Sequence, residues 1–142
     1  MDTAQVTEFA ELMLELRQAM HQQSSLSLEE RVGSSLQMSA LHHLEKDGAS
    51  NVSGLAQQLH ISLSSATQLI ERLVKAASVE RTVDTNDRRI TNLSLTEAGR
   101  YELKQGRKAM CAKMGSILEK LPEKDRHDLI RILRTLTNAL IA

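Results

Sequence analysis

The stretch NVSGLAQQLHISLSSATQLIERLVKAASVERTVDTNDRRITNLSLTEAGR, residues 51–100, decides the fold of this chain. Its first part predicts a short helix, because three apolar residues recur there at helical spacing: Leu55, Ala56 and Leu59. We expect Ser53 to cap this helix. Residues 60–62, His-Ile-Ser, then form a short connection to a second helical pattern. This order predicts a helix-turn-helix.

The second helix has two faces of opposite character. Ser62 is its predicted N-cap, because a serine hydroxyl can accept a hydrogen bond from a free N–H group of the first turn. The apolar residues recur on one stripe: Ala66, Leu69, Ile70, Leu73 and Ala77. The polar residues occupy the other side: Ser64, Ser65, Thr67, Gln68, Glu71 and Arg72. The stripe therefore faces a core, and the polar face is free to enter a groove.

Two strand-like runs follow, over residues 79–84 and 90–95, joined by the loop 85–88. Alternate residues share one face of each strand: Val79, Arg81 and Val83 in the first, and Thr91, Leu93 and Leu95 in the second. A charged hairpin directly after a helix-turn-helix is a wing, and an arginine at its tip fits the narrow, electronegative minor groove of DNA. We therefore predict a mainly α fold with a small β-hairpin wing (α+β), a winged helix-turn-helix.

The polar helix face supplies candidate DNA contacts of two kinds. Ser64 and Ser65 lie in its first turn, where backbone N–H groups and hydroxyls suit phosphate or base contact. The amide of Gln68 can donate and accept at an adenine edge, while Arg72, one turn on, is better placed for phosphate. The predicted DNA-binding residues of this helix are Ser62, Ser64, Ser65, Thr67, Gln68 and Arg72. The alternative is that they form an ordinary solvated helix face.

Helical patterns also flank the winged helix. The N-terminal one has a narrow stripe of apolar residues at spacings of three and four: Val6, Phe9, Met13, Leu16 and Met20. Residues 22–27 interrupt it, and a helix over about 34–46 carries Leu36, Ala40, Leu41 and Leu44 toward the core before Asp47-Gly48.

After the wing, Thr96 can cap a long helix. Its apolar stripe is Leu103, Met110, Met114, Ile117, Leu118 and Leu121. Pro122 separates it from a terminal helix over residues 123–140, whose predicted buried side is Leu129, Ile132, Leu133, Leu136 and Leu140.

The stripes at both chain ends have no partner inside a compact winged helix. They can pair with those of a second copy, so we predict a homodimer. In this division, residues 1–33 and 101–142 form a helical dimerisation region, and residues 34–100 form the winged helix-turn-helix DNA-binding domain. Two recognition helices held about one DNA turn apart can read a pseudo-palindrome.

Composition is that of a soluble globular protein, with 41% hydrophobic and 25% charged residues. No apolar run approaches the ~20 residues of a membrane span, and the N-terminus carries acids where a signal peptide carries bases, so we expect a cytoplasmic protein without a membrane partner. The net charge is zero but uneven: residues 1–50 hold three basic and eight acidic side chains, 51–100 six and five, and 101–142 nine and five. The acidic first segment and the basic last one should attract each other.

The sequence gives little support for a catalytic or metal-binding site. The single cysteine, Cys111, lies beside methionines in a predicted helix, so we expect buried packing rather than redox sensing. The neighbours His42 and His43 point about 100 degrees apart on a helix and have no cysteine or i+4 histidine to complete a zinc site. The sequence has no Gly-rich phosphate loop and no nucleophile elbow. We therefore expect no metal, no cofactor and no enzymatic activity.

The central third resembles the MarR family of winged helix-turn-helix transcription regulators. The residues that carry the resemblance are Leu55-Ala56, Ser62, Leu73, Val79-Glu80-Arg81, Asp87-Arg88-Arg89 and Leu93-Ser94-Leu95-Thr96-Glu97-Ala98-Gly99-Arg100. Two departures occur: many relatives have glycine then leucine in place of Ala77-Ser78, and proline in place of Leu63. If the Ala77 position needs a positive φ, alanine costs on the order of 1 kcal/mol relative to glycine there.

The resemblance implies a dimeric regulator of double-stranded DNA, with Arg89 in the minor groove and Asp87 as its orienting partner. Arg88 is a further candidate DNA contact, and the alternative is that both arginines are solubility charges. The resemblance also implies a cleft for a small aromatic or phenolic effector. Candidate lining residues are Met13, Met38, His42 and Met110, for which core packing is the alternative.

The function implied is a repressor released from a pseudo-palindromic operator by a small-molecule effector. The rival reading is a winged-helix adaptor or antirepressor that uses the same polar face to bind a protein. Salt dependence discriminates the two, because phosphate contacts release counterions.

Overall fold

The computed structural model describes residues 1–48 and 50–142, with the side chains of residues 28, 29 and 32 outside that description. The helices are α1 (Thr3–Gln22), α2 (Leu28–Asp47), α3 (Val52–Leu59), α4 (Leu63–Lys75), α5 (Glu97–Leu118) and α6 (Glu123–Ile141), and the strands are β1 (Val79–Val83) and β2 (Thr91–Leu95). The predicted mainly α architecture with one hairpin is confirmed. Helices α3 and α4 form the helix-turn-helix, and the hairpin β1–β2 forms the wing.

Helix α2 begins at Leu28, six residues before the predicted start near Ser34. The Ser27 hydroxyl accepts a hydrogen bond from the Glu30 N–H at 3.2 Å, and the Glu30 carboxylate accepts one from the Ser27 N–H at 3.4 Å. This reciprocal capping box satisfies two backbone donors and fixes the start. The apolar periodicity becomes visible only further along the helix, which is why the prediction began too late.

Helix α3 is capped by Asn51 and not by Ser53, so that prediction was wrong. The Asn51 side-chain oxygen accepts a hydrogen bond from the Gly54 N–H at 2.7 Å. Ser53 lies one residue inside the helix, where its backbone is already helical. The helix ends at His60, which adopts the left-handed conformation with φ 54° and turns the chain toward α4.

The core lies between α2, the helix-turn-helix, the base of the wing and the start of α5. Its largest fully buried side chains come from five of these elements: Leu41, Leu44, Leu55, Ile70, Leu73, Val79 and Leu93. Each buried leucine or isoleucine contributes about 2 kcal/mol of transfer free energy. The predicted support of the helix-turn-helix by α2 is confirmed, because Ala40, Leu41 and Leu44 are all buried in this cluster.

The wing is a two-stranded antiparallel hairpin in which Val79 pairs with Leu95 and Val83 pairs with Thr91. Its base is buried at Val79, Leu93 and Leu95, whereas its tip is exposed. The backbone of Ser50 pairs with that of Leu93, with N–H to O distances of 3.0 and 2.6 Å. The base of the wing is therefore fixed to the core, and the tip projects from it.

The chain leaves α4 through residues 76–78, which we call the joint and which have an unusual backbone conformation. Helix α4 ends at Lys75, and Ala77 adopts a left-handed conformation with φ 61°. The Ser78 N–H donates to the Leu73 carbonyl at 2.9 Å and the Ala77 N–H donates to the Val74 carbonyl at 3.0 Å, which is a Schellman motif. Ala77 was predicted on the buried stripe, but it is exposed because the chain has already left the helix.

The joint also holds the start of α5. Thr96 caps α5, as predicted, by accepting from the Gly99 N–H at 3.0 Å, and its hydroxyl donates to the Ala77 carbonyl at 2.6 Å. A Cβ atom at Gly99 would collide with the Ser78 carbonyl. Two side-chain bonds extend the contact: Ser78 to Glu102 at 2.5 Å and Gln37 to Glu102 at 2.9 Å. These contacts tie the end of α4, the recognition helix of the helix-turn-helix, to α5 and α2.

Helices α1 and α6 contain no buried residue within the single chain. Their predicted apolar stripes are present but uncovered: Phe9 is 58% exposed, Leu133 51% and Leu136 45%. Cys111, expected to be buried, is exposed, because the second half of α5 is not covered by the winged helix. None of the described helices is long and apolar enough to cross a membrane.

Replacing Ala77 by glycine tests the strained joint. Glycine adopts a positive φ without the Cβ clash, so Ala77→Gly should raise the free energy of unfolding by about 1 kcal/mol. The neighbouring Ala76 has φ −78° and serves as the control: Ala76→Gly should leave stability unchanged or lower it. Urea unfolding followed by circular dichroism measures both. Equal effects of the two substitutions would contradict the role given to the backbone at Ala77.

Candidate nucleic-acid interface

Ser62 begins the exposed face of α4. Its hydroxyl oxygen accepts from the Ser65 N–H at 3.0 Å, and its O–H donates to the Ser65 hydroxyl at 2.9 Å. The predicted cap is therefore confirmed. Both hydrogen bonds orient the first turn, so Ser62 acts first on the helix start and only secondarily as a surface group.

The next polar side chains of α4 differ in exposure and in whether they already bond to their own helix. Ser64 and Ser65 are exposed in the first turn, where the N–H groups of the helix end point outward. Thr67 is half-buried, and its hydroxyl donates to the Leu63 carbonyl at 2.8 Å. This bond to the preceding turn directs the Thr67 hydroxyl at its own helix. The two serines are thus better presented to a ligand than the threonine.

Further along α4, four exposed side chains lie on one face of the helix: Gln68, Glu71, Arg72 and Lys75. The structure thus brings Gln68 and Arg72 together, as predicted. It adds Lys75, which the sequence reading missed although its spacing of seven from Gln68 places it on the same face. Glu71 puts one negative charge among the two cations, so the face is amphoteric rather than uniformly basic.

At the wing, Asp84 organises the loop. Its carboxylate accepts from the Asn86 N–H at 2.8 Å, from the Asp87 N–H at 3.1 Å and from the Asn92 side-chain amide at 3.2 Å. Sequence reasoning assigned Asp84 only to the end of a strand. The signal for its role was an aspartate at the start of the turn-forming run Asp-Thr-Asn-Asp, because an aspartate side chain can accept from the backbone N–H two residues on.

At the tip of the wing, Arg89 pairs with Asp87. Its Nε donates to Asp87 Oδ1 and its Nη2 to Asp87 Oδ2, both at 3.1 Å, and its backbone N–H donates to Oδ1 at 3.0 Å. The predicted pair of Asp87 and Arg89 is therefore present and bidentate. The Arg89 side chain is nevertheless 90% exposed. Arg88 is exposed beside it.

These contacts perturb the acid–base properties of the wing. Hydrogen bonds from the backbone of Asn86 and Asp87, and then from the Asn92 amide, lower the pKa of Asp84. The Arg89 guanidinium and then its backbone N–H lower the pKa of Asp87, and the same pair raises the pKa of Arg89. The shifts show that the charged forms of Asp84, Asp87 and Arg89 are stabilised by these hydrogen bonds.

The four predicted effector contacts lie apart from this surface. Met38 packs against Gly106 of α5, where a Cβ would collide with its sulfur. His42 Nδ1 lies 2.7 Å from Arg107 Nη2, and Arg107 Nη1 lies 2.9 Å from Glu45 Oε1. Met38 and His42 therefore line the interface between α2 and α5. Met13 and Met110 are 50% and 60% exposed.

Comparison with known proteins shows which proteins this chain resembles. The MarR family model matches residues 34–91, which hold the helix-turn-helix and most of the wing. Over 95 residues, 65% of this chain, the sequence is 34% identical to the HTH-type transcriptional repressor MdtR of Bacillus subtilis (strain 168). Residues 34–91 thus form a MarR-family domain. The matched part spans 61% of the length of MdtR, less than two thirds.

Solved MarR-like structures extend the likeness over nearly the whole chain. The YusO protein of Bacillus subtilis is 27% identical, with 98% of this chain and 99% of that one covered at a TM-score of 0.78. A MarR family protein of Bacillus stearothermophilus, 19% identical, shares the fold over 100% and 99% of the two chains at a TM-score of 0.79. Both α1 and α6 therefore belong to the MarR fold and are not additions to it.

The hydrogen bonds of the wing predict that Asp84 and Asp87 titrate at lower pH than an ordinary aspartate. Because folding lowers the pKa of Asp84 and Asp87 below the ordinary 3.8, their stabilising effect is present above that pH and is lost as the pH falls through the lower folded values. Carboxyl-carbon NMR should show both titrating below 3.8. Arg89→Met should return the pKa of Asp87 toward its ordinary value and leave Asp84 unchanged. Ordinary titration of both in the unsubstituted protein would refute the geometry of the wing.

Proposed function

We propose that this chain is a dimeric, sequence-specific DNA-binding repressor of the MarR family. The observation that carries the proposal is the pairing of an exposed polar helix face with an arginine that a bidentate carboxylate holds at the tip of the adjoining wing. Such a unit presents a helix to the major groove and a cation oriented by Asp87 to the minor groove. MarR-family members are transcription regulators and not enzymes.

In this proposal the two ends of α4 perform different tasks. Ser64 and Ser65 contact phosphate or base edges at the helix start, and the Gln68 amide reads a base. Arg72 and Lys75, on the same face, neutralise phosphates. Glu71 repels phosphate and so favours one register of the helix in the groove. Thr67 contributes mainly through its bond to its own helix.

The dimer part of the proposal is supported by uncovered apolar surface. At least ten large apolar residues of α1 and α6 are more than a third exposed within one chain: Val6, Phe9, Leu12, Met13, Leu16, Ile130, Ile132, Leu133, Leu136 and Leu140. A monomer with so much apolar surface on two helices would associate. A two-fold arrangement covers both helices and sets the spacing between the two copies of α4.

Release by a small-molecule effector completes the proposal. Helix α5 begins at the joint with the recognition helix and continues into the exposed helical region. A ligand that changes the packing of α5 would therefore change the spacing of the two DNA-reading units. This linkage needs a difference in ligand affinity between the DNA-binding and released arrangements.

Fluorescence anisotropy against duplexes from the region upstream of its own gene tests the DNA-binding proposal. We expect one duplex to bind in preference to an unrelated competitor, with log affinity falling by about 0.9 per neutralised phosphate for each unit of log salt. Uniform weak binding would require selection of an operator from random duplexes. Absence of binding at every salt concentration, with selected duplexes included, would favour the protein-binding adaptor.

Two substitutions separate base reading from groove binding. Arg89→Ala should reduce affinity about tenfold for every operator with a narrow minor groove. Gln68→Ala should remove discrimination at one base pair, worth roughly 1–3 kcal/mol, and change total affinity less. Arg134→Ala on exposed α6 is the control and should change neither. An equal loss on all sequences from Gln68→Ala would remove that residue from base reading.

Sedimentation equilibrium tests the dimer. The unsubstituted protein should sediment at twice the mass of one chain, and Leu133→Glu should raise the dimer dissociation constant at least about 30-fold, because a carboxylate would be buried in an apolar interface. Lys124→Glu, at the exposed start of α6, makes a larger charge change outside the stripe and should have little effect. A monomer at micromolar concentration, or equal effects of both substitutions, would contradict the arrangement.

A further inference from the structure

Leu63 is an apolar residue exposed at the start of the recognition helix. It is the first residue of α4 and is 56% exposed. The apolar residues just before it, Leu59 and Ile61, pack against the core instead. Further along α4, Ala66 and Ile70 are fully buried. The core therefore covers the later turns of α4, whereas Leu63 projects beyond it.

The start of α4 does not depend on the Leu63 side chain. The Ser62 hydroxyl accepts from the Ser65 N–H at 3.0 Å, and the Leu63 carbonyl accepts from the Thr67 hydroxyl at 2.8 Å, so neither bond involves that side chain. Even proline would fit this position, because Ser62 has ψ 155°, in the extended range that proline requires of the residue before it. The local fold therefore gives no reason for an exposed leucine here.

Thr67 adds a second apolar group on the same side of α4. Residues four apart on a helix are neighbours on its surface, so Thr67 lies one turn behind Leu63. Its hydroxyl is bonded to the Leu63 carbonyl, which leaves its methyl group as the part that can contact a partner. Thr67 is half-buried, and the polar Ser64 beside Leu63 is exposed. We call the Leu63 side chain and the Thr67 methyl group the apolar tip.

The apolar tip lies on the surface that the proposed function places against DNA. In helix-turn-helix proteins, the N-terminal residues of the recognition helix contact base edges in the major groove. Helix α4 packs against α3 and β1, whereas the proposed dimer is formed by the stripes of α1 and α6. A second copy in that arrangement leaves the start of α4 exposed.

The major groove offers one apolar group to such a surface, the C5-methyl group of thymine. The other groups on the base edges are hydrogen-bond donors and acceptors. A donor such as the cytosine amino group would lose water against Leu63 without gaining a partner. Leu63 should therefore favour thymine by contact and disfavour cytosine by leaving its amino group unpaired.

We propose that the apolar tip determines part of the sequence preference, with Leu63 and the adjoining Thr67 methyl group in contact with the C5-methyl group of one thymine in each half of the operator. This inference rests on the proposed function and adds an apolar contact to those of the polar face. 5-Methylcytosine carries the same group at the same carbon. Synthetic duplexes without cytosine methylation therefore restrict the test to thymine.

Replacing thymine by deoxyuridine tests the contact, because the change removes one methyl group and keeps every hydrogen-bonding atom of the base. The duplex is selected from a random pool with the full protein, and its thymines are then replaced one at a time. Fluorescence anisotropy should show one thymine in each half at which the replacement weakens binding about three- to fivefold, the contribution of one buried methyl group. Replacement of the other thymines should have a smaller effect.

Variants assign the methyl group to its contact. Leu63→Ala, with a strong helix former, should bind thymine and deoxyuridine duplexes equally, within about 1.5-fold. Leu63→Met keeps an apolar side chain and should retain a preference of about twofold or more. Gln68→Ala, the matched control on the same helix, should keep the full preference for thymine. Thr67→Ser keeps the hydroxyl and removes the methyl group, so it should reduce the preference only in part.

Two results would overturn the inference and leave the proposed function intact: no thymine whose replacement weakens binding, or a thymine preference that Leu63→Ala does not change. A preference that Thr67→Ser abolishes and Leu63→Ala retains would also overturn it, and would assign the contact to the threonine. If no selected duplex is bound in preference to a competitor, the proposed function and this inference both fail.

Discussion

The backbone of Ala77 and Ser78 is the constraint on which the rest of the molecule depends. At this point the recognition helix ends, the wing begins, and the carbonyls of both residues receive hydrogen bonds from Thr96 at the start of α5. Gly99 allows the close approach, since any larger residue would meet the Ser78 carbonyl. The angle between the recognition helix and α5 is therefore set by backbone contacts, which are shorter and stiffer than contacts between long side chains.

Much of this could be predicted from the sequence, because periodicity and capping are local properties. The α4 stripe from Ala66 to Leu73, the Ser62 and Thr96 caps and the hairpin were all predicted and are present. The pair of Asp87 and Arg89, which the family resemblance implied, is also present. The errors occurred where two local signals compete. Asn51 and Ser53 are both capping residues, and only the backbone conformation selects Asn51. Helix α2 begins in a polar segment without apolar periodicity, so its start was hidden.

Other features depend on residues far apart in the chain and could not be predicted. The bond from the Asn92 amide to Asp84 forms only once the hairpin has folded, whereas the two turn bonds to Asp84 are local. The hydrogen bonds from Gln37 and Ser78 to Glu102 join three elements that lie far apart in the sequence. Arg72 was predicted as a DNA contact and Lys75, one turn further along the same face, was not. The segmental charge bias, acidic at the N-terminus and basic after the wing, indicated attraction between the ends but no particular cluster.

Hydroxyl-radical footprinting of the protein on a duplex selected from a random pool tests the central claim most directly, that a two-fold pair of winged helices reads DNA with α4 and Arg89. The account predicts two protected patches on one face of the duplex, about one helical turn apart, each flanked by minor-groove protection that Arg89→Ala removes. A single patch, protection without two-fold symmetry, or flanking protection that survives Arg89→Ala would contradict it.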